Sequence, residues 1–213
     1  SEFGSTGIGM EVRHENLRSS NLGDRRRNLL SAYVEQRFEY GDFSLTPGLS
    51  FQYFSDFGPN VFYGVDASYS LGRNFMLYAN AGTTYRVPSY TDRFYTDPVN
   101  EGNPDLQPET AITYEAGIKK LGRNFSFQSA VFRRNGSNLI DWTRDTLISP
   151  KWTPVNLNNI PVSGIEASIS SNLGYVSGIP FLGFQKLNYS YIDAEIIDNE
   201  ATESRYLLEN LRH

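Results

Sequence analysis

The chain has 213 residues, a formal net charge of −5, 14 Tyr and 14 Phe, and no cysteine. Lack of cysteine excludes a disulfide framework, a zinc–thiolate site and a thiol nucleophile, and the two histidines, His14 and His213, stand at opposite ends of the chain. The mildly acidic balance offers no basic field, so no nucleic-acid partner is expected.

No run of about 18 apolar residues marks a transmembrane helix, and Ser1-Glu2-Phe3-Gly4-Ser5 has none of the features of a signal peptide. The hydrophilic average is no evidence against a membrane barrel, whose strands alternate and average to neutral.

From the N-terminus the pattern has period 2, and no helical stripe stands out. Gly7–Arg18 opens as a strand, and Ser19–Arg26 reads as a longer loop. A short turn follows at Tyr40-Gly41-Asp42, and Ser55–Pro59 is a short connection on the opposite side. In Asn60–Leu71, Val61, Tyr63, Val65, Ala67, Tyr69 and Leu71 alternate with Gly64, Asp66, Ser68 and Ser70. After the turn Leu71-Gly72-Arg73-Asn74, the strand Asn74–Arg86 sets Phe75, Leu77, Ala79, Ala81 and Tyr85 against Tyr78, Asn80, Gly82, Thr84 and Arg86.

The connection Pro88–Glu109 is long and proline-rich, and long connections in compact domains tend to be functional. Pro104 and Pro108 fix φ and hold Asn103 and Gln107 extended. The loop therefore either contacts a ligand, braces itself on the wall or presents a surface to a protein partner. Tyr90, Tyr95 and Asn100 are candidate ligand contacts, and Asp92, Asp97 and Glu101 are oxygen donors for a possible loop Ca²⁺, although their spacing is not that of a defined calcium loop. No other cofactor is expected. Arg86 falls at the outer rim of the lumen face, to pair with a ligand or plug acid or with a neighbouring lumen carboxylate.

Thr110–Lys120 resumes the alternation with Ile112, Tyr114, Ala116 and Ile118, and Leu121-Gly122-Arg123-Asn124-Phe125 repeats the pentapeptide of residues 71–75 as turn chemistry. Trp142 and Trp152 flank a loop tip around Arg144–Lys151, as cross-strand partners, interfacial aromatics or ligand contacts. Ser163–Leu173 and Leu187–Tyr191 are further strands, with a turn at Gly174–Pro180, a longer loop at Asp193–Thr202 and a last strand over Arg205–His213.

Expected strands of about 10–14 residues exceed the usual globular mode of about 5–6 and suit a tilted bilayer crossing of roughly 9–11. Short turns on one side and longer loops on the other are the topology of an outer-membrane barrel. Tyr40, Phe43, Phe75, Phe125, Tyr175 and Phe181 cluster beside the short turns as an aromatic girdle. Glu35, Arg37, Asp66, Glu115, Lys119 and Glu166 give the other face the polarity of a hydrated lumen. Carboxylate pairs such as Glu15 and Glu35 single themselves out by nothing, so catalysis is not expected. The fold class is all-β, an antiparallel transmembrane β-barrel segment of roughly ten strands.

Tyr85-Arg86-Val87-Pro88-Ser89 followed by Gly102-Asn103-Pro104-x-Leu106-x-Pro108-Glu109 resembles the barrel signature of TonB-dependent outer-membrane receptors. Ile140-Asp141-Trp142 after the turn-like Arg133-Arg134-Asn135-Gly136, Gly164-Ile165-Glu166, and the opening Gly7-x-Gly9-Met10-Glu11 are similar to the cobalamin-receptor-like branch of Bacteroidetes-type bacteria. The resemblance implies a barrel of about 22 strands filled by a plug, of which residues 1–213 are a partial wall with plug, TonB box and closing strand absent. It further implies a bacterial outer-membrane location, import of a large scarce ligand such as cobalamin or a ferric siderophore, and energy relayed by the TonB complex through the plug. Implied partners are outer-membrane lipid and a possible surface lipoprotein. A passive specific porin, an outer-membrane barrel enzyme such as a lipase or protease, and a soluble carbohydrate-binding β-sandwich are the alternatives.

Overall fold

The computed structural model describes residues 4–145, 150–158, 160–172, 174, 183–194 and 202–205. Nine long strands form one antiparallel sheet: β1 (Ser5–Ser19), β2 (Gly23–Tyr40), β3 (Phe43–Phe54), β4 (Gly58–Gly72), β5 (Phe75–Arg86), β6 (Glu109–Lys120), β7 (Phe125–Ser137), β10 (Ile160–Asn172) and β11 (Phe184–Ala194). Three short strands, β8 (Leu139–Asp145), β9 (Thr153–Leu157) and β12 (Thr202–Ser204), make a second sheet. The wall order β1-β2-β3-β4-β5-β6-β7-β10-β11 is an open meander, so among the described residues the barrel segment is wall and not a closed ring.

Register explains why the alternation matters. Directly opposed residues share a face, so one row runs Phe43, Tyr69, Leu77, Ile118 and Ser129 across five strands. Another runs Met10, Ala32, Phe51 and Val61. Val61, Tyr63, Val65, Tyr69 and Leu71 of β4 are all exposed. A row of the opposite face carries Asp66, Asn80, Glu115 and Phe132. A one-residue slip would invert every side chain, which is why the exposed apolar face fixes the register so firmly.

At the short turns the ladder continues through the bend. The carbonyls of Asp42, Asn74 and Asn124 accept the N–H groups of Ser70, Leu121 and Asn172 at 2.8, 3.0 and 2.9 Å. The two copies of Leu-Gly-Arg-Asn-Phe bend differently. Gly72, Arg73 and Asn74 take left-handed φ values of 75°, 50° and 66°, whereas Gly122 is closed by the hydroxyl of Ser126, which donates to its carbonyl at 3.1 Å. Identical local sequence is thus overridden by the register of the strands it joins.

Several expectations change. The loop foreseen at Ser19–Arg26 is a three-residue turn, because β1 and β2 pair all the way from Ser5↔Arg37 to Ser19↔Gly23. Arg133-Arg134-Asn135-Gly136 is no turn but the end of β7; the chain bends instead at Asn138, whose φ is 55°. Tyr85, expected among the apolar wall residues, stacks at 6.2 and 5.4 Å on Phe54 and Phe62, which alternate with the exposed stripe. The β4–β5 ladder ends at Gly64↔Gly82, and Thr83 Oγ1 bonds both Tyr63 N and O, so alternation on β5 breaks there. Among the described residues the wall has nine strands. Residues 206–213 of the expected last strand, the turn at Gly174–Pro180 apart from Gly174, Tyr175, Phe181 and most of the Asp193–Thr202 loop lie outside the described residues.

Candidate functional site

The loop between β5 and β6 folds into a compact cap on the long-loop side. Its first part is a five-residue helix, α1 (Tyr90–Phe94), which period counting cannot detect because it spans little more than one turn. Its signal was Ser89-x-x-Asp92. Ser89 caps the helix with its hydroxyl accepting from Asp92 N–H at 3.1 Å, and Asp92 Oδ2 accepts from Ser89 N–H in return, also at 3.1 Å. The chain then doubles back so closely that a Cβ on Gly102 would lie 2.7 Å from Phe94 N and 2.8 Å from Arg93 C, which only glycine permits.

The family-like signature residues hold this cap to the β8–β9 hairpin. Asn103 donates from Nδ2 to Pro154 O at 3.1 Å, while Asn156 and Gln107 exchange bonds of 2.8 and 2.9 Å. Leu106 is only 2% exposed and packs as the apolar anchor between them. Glu109, 8% exposed, accepts both nitrogens of the Arg86 fork at 2.5 Å and the Ile140 N–H at 2.7 Å.

On the other flank, Asn21 exchanges two bonds with the Thr96 backbone, at 2.9 and 3.1 Å. Arg27, 5% exposed on the inner face of β2, reaches Asp56 at 3.0 Å and the Pro88 carbonyl at 3.0 Å beneath the Tyr90 ring. Arg93 joins the same Asp56 at 3.0 Å. The cap is therefore clamped to three neighbouring connections, and sequence reasoning missed Arg27 and Asp56 because nothing local marks a long-range pair.

Each candidate contact has a definite place. Arg86 pairs with Glu109 and lies 3.9 Å from Asp92, so the neighbouring-carboxylate reading describes it. Asp92 also accepts from Trp142 Nε1 at 3.1 Å. Tyr90 lies under the cap with its hydroxyl buried and without a partner among the described residues, and burial raises its phenol pKa. Tyr95 donates to Asp97 at 3.0 Å, a bond that raises the phenol pKa. Asn100 bonds Asp97 at 2.8 Å through Nδ2 and accepts from Arg205 at 2.8 Å. The same Asn100 amide is the first cause holding the Asp97 carboxyl below the usual aspartate range.

Trp142 and Trp152 are not cross-strand partners: Trp142 pairs with Pro154, and Trp152 sits one step beyond Thr153. The Arg205 guanidinium joins them instead, 5.7 Å from one ring and 4.5 Å from the other, with Arg144 at 4.9 Å from Trp152. Trp152 also bonds the cap through backbone bonds to Val99 and Glu101, both 2.9 Å. Asp92, Asp97 and Glu101 turn to Trp142, Asn100 and Lys151 respectively, and among the described residues no three acidic or histidine side chains converge.

Chemically the arrangement is a hydrogen-bonded aromatic and amide surface, with Tyr95, Asn100 and Trp152 half-buried and Val99 exposed among them. Arg86 keeps its side chain 52% exposed although paired.

Residues 4–210 match the family model described as TonB dependent receptor-like, beta-barrel. The chain is 23% identical over 174 residues to the vitamin B12 transporter BtuB of Photobacterium profundum and 24% identical over 173 residues to that of Vibrio vulnificus. These matches cover 81% and 79% of the chain but 27% and 28% of those proteins, so the chain spans little more than a quarter of their length. Both organisms stand apart from the expected Bacteroidetes-type branch, which draws no support from them. In fold the chain is similar to the siderophore receptor PirA from Pseudomonas aeruginosa, with a TM-score of 0.73 and 23% identity over 89% of this chain and 36% of that one. It also resembles the FrpB iron transporter from Neisseria meningitidis, with a TM-score of 0.66 and 15% identity over 91% of this chain and 33% of that one.

Proposed function

The chain belongs to the family of TonB-dependent receptor-like β-barrels, and on that premise we propose that it is wall of a bacterial outer-membrane receptor importing a large, scarce ligand. Cobalamin is the first ligand, because the two curated relatives are vitamin B12 transporters by name. A ferric siderophore is the second, favoured by a structural neighbour named as a siderophore receptor. The observation that carries the reading is the family match along residues 4–210. The cap supports it by offering a preformed surface at the end of a polar-faced wall.

In this reading the wall does no chemistry. Tyr95, Asn100 and Trp152 meet the ligand, with Arg86 at the rim. Tyr90, Asp92 and Trp142 hold the surface in shape from beneath. The remaining partners are a plug engaging the TonB complex, outer-membrane lipid around the apolar face, and a surface lipoprotein over the loops. A preorganised surface raises affinity because little side-chain freedom is left to lose on binding.

The full-length protein, purified in detergent, is titrated with cyanocobalamin and, separately, with a ferric siderophore. Saturable binding of one ligand is expected, weakened about tenfold by Trp152→Ala, as for an aromatic contact worth somewhat over 1 kcal/mol. Binding of neither ligand, or binding indifferent to Trp152→Ala and Tyr95→Ala alike, overturns the assignment.

A further inference from the structure

We propose that the short-turn rim of the β4–β5 and β6–β7 hairpins binds the phosphate of an anionic phospholipid headgroup through Lys120, Arg73 and Arg123. The inference rests on the membrane reading above. Lys120 ends β6 on the lipid side of the wall, two residues beyond Ile118 and directly opposite Phe75 and Phe127. Its ammonium stands 4.9 Å from the centre of the Phe75 ring and 5.5 Å from that of Phe125. Aromatic faces attract a cation but carry no formal counter-charge.

The two turns are joined. Leu121 N–H donates to Asn74 O at 3.0 Å, which sets Arg73 beside Lys120 and the Arg123 turn. Among the described residues none of these three cations forms an ion pair. The nearby acids are otherwise placed: Glu39 pairs with Arg37 at 2.9 Å on the inner face, and Asp42 lies on the next turn along.

Toward the opposite end of the wall several cations are paired. Arg27 and Arg93 are held by Asp56, Arg86 by Glu109, Arg144 by Glu203 and Lys151 by Glu101. Five cations toward the loop end are thus held by acids, as Lys120, Arg73 and Arg123 are not among the described residues. Phe43, Phe75, Phe125 and Phe184 begin the strands on that rim, at the depth where aromatic rings meet headgroups. A phosphodiester supplies the missing negative charge through charge-assisted hydrogen bonds, and its acyl chains lie along Leu77 and Ile118. Free phosphate lacks that second contact.

The test uses the full-length protein in nanodiscs of phosphatidylcholine mixed with phosphatidylglycerol, followed by native mass spectrometry of the lipid that stays bound. Retention of phosphatidylglycerol over phosphatidylcholine is expected by on the order of a hundredfold, given roughly fivefold for each of the three surface cations. The triple variant Arg73→Gln, Lys120→Gln, Arg123→Gln abolishes the preference, and Lys186→Gln on the inner face leaves it intact. Should the triple variant fail to fold, Lys120→Gln alone lowers the preference roughly fivefold. Equal retention of both lipids by the unaltered protein, or an unchanged preference in the variant, overturns the site while leaving the receptor reading standing. Failure of the unaltered protein to enter the bilayer overturns both.

Discussion

Glu109 gathers three donors from two other strands: the forked Arg86 guanidinium at the end of β5 and the Ile140 N–H near the start of β8. A buried acceptor used this way ties strand end, cap and hairpin together, and its removal strands the Ile140 N–H. Glu109→Ala is expected to cost about 1–3 kcal/mol, below the figure for a fully buried pair because Arg86 remains half exposed. Urea unfolding in detergent measures it, with Asp105→Ala as the exposed reference. Leu106→Ala opens a cavity between cap and hairpin and is expected to cost about 2–5 kcal/mol.

Asp97 is the pH-sensitive point of the cap. Its carboxyl is held low by the Asn100 amide first, then by the Val99 N–H and the Tyr95 hydroxyl. A depressed folded-state pKa contributes stability that is complete above the unfolded value, about 3.9 for aspartate, and is lost as pH falls through the folded value. Amide exchange at Val99 and Asn100 is therefore expected to quicken, relative to intrinsic rates, only below about pH 4, and Asp97→Asn to remove that acid step. An unchanged profile in the variant would show that the carboxylate does not order this turn.

At the scale of the element, β4 is both the most legible strand and the most exacting. Val65 stands at the middle of the fifteen-residue strand on the exposed apolar face. Val65→Arg is expected to cost roughly 2–4 kcal/mol in lipid vesicles, the amount for a charge at the bilayer midplane. Asp66→Asn, one residue away on the polar face, is expected to stay within about 0.5 kcal/mol. Equal effects at the two positions would contradict the assignment of faces.

The strands were readable because alternation is written in each strand separately. The breaks were not: Tyr85 turns inward because a ladder on the neighbouring strand ends at Gly64. The helix α1 and the true bend at Asn138 escaped for a related reason, being set by caps and register and too short to leave a period.

Across the whole molecule, nine strands present one continuous apolar face with no second layer of protein over it among the described residues. Such a face in water is an aggregation surface. The full-length protein is expected to stay monodisperse in detergent and to precipitate or associate when the detergent is withdrawn, as light scattering will report. A monomer stable in plain buffer contradicts a lipid-facing wall.

The amino-acid sequence alone determined the all-β architecture, the two unlike faces and the tight turns at Tyr40-Gly41-Asp42 and Leu71-Gly72-Arg73-Asn74, since strand periodicity and turn chemistry are local properties. It also singled out the β5–β6 connection as the candidate site through its prolines and its signature residues. Tertiary structure alone decided what those residues do. Leu106 and Glu109 are internal braces, Trp142 is a buried support for Asp92, and Arg27 is the clamp beneath Tyr90. These roles depend on pairs separated by tens of residues, such as Arg27 with Pro88 and Asn100 with Arg205. Folding brings them together through the register of a whole sheet, which no local window of the chain contains.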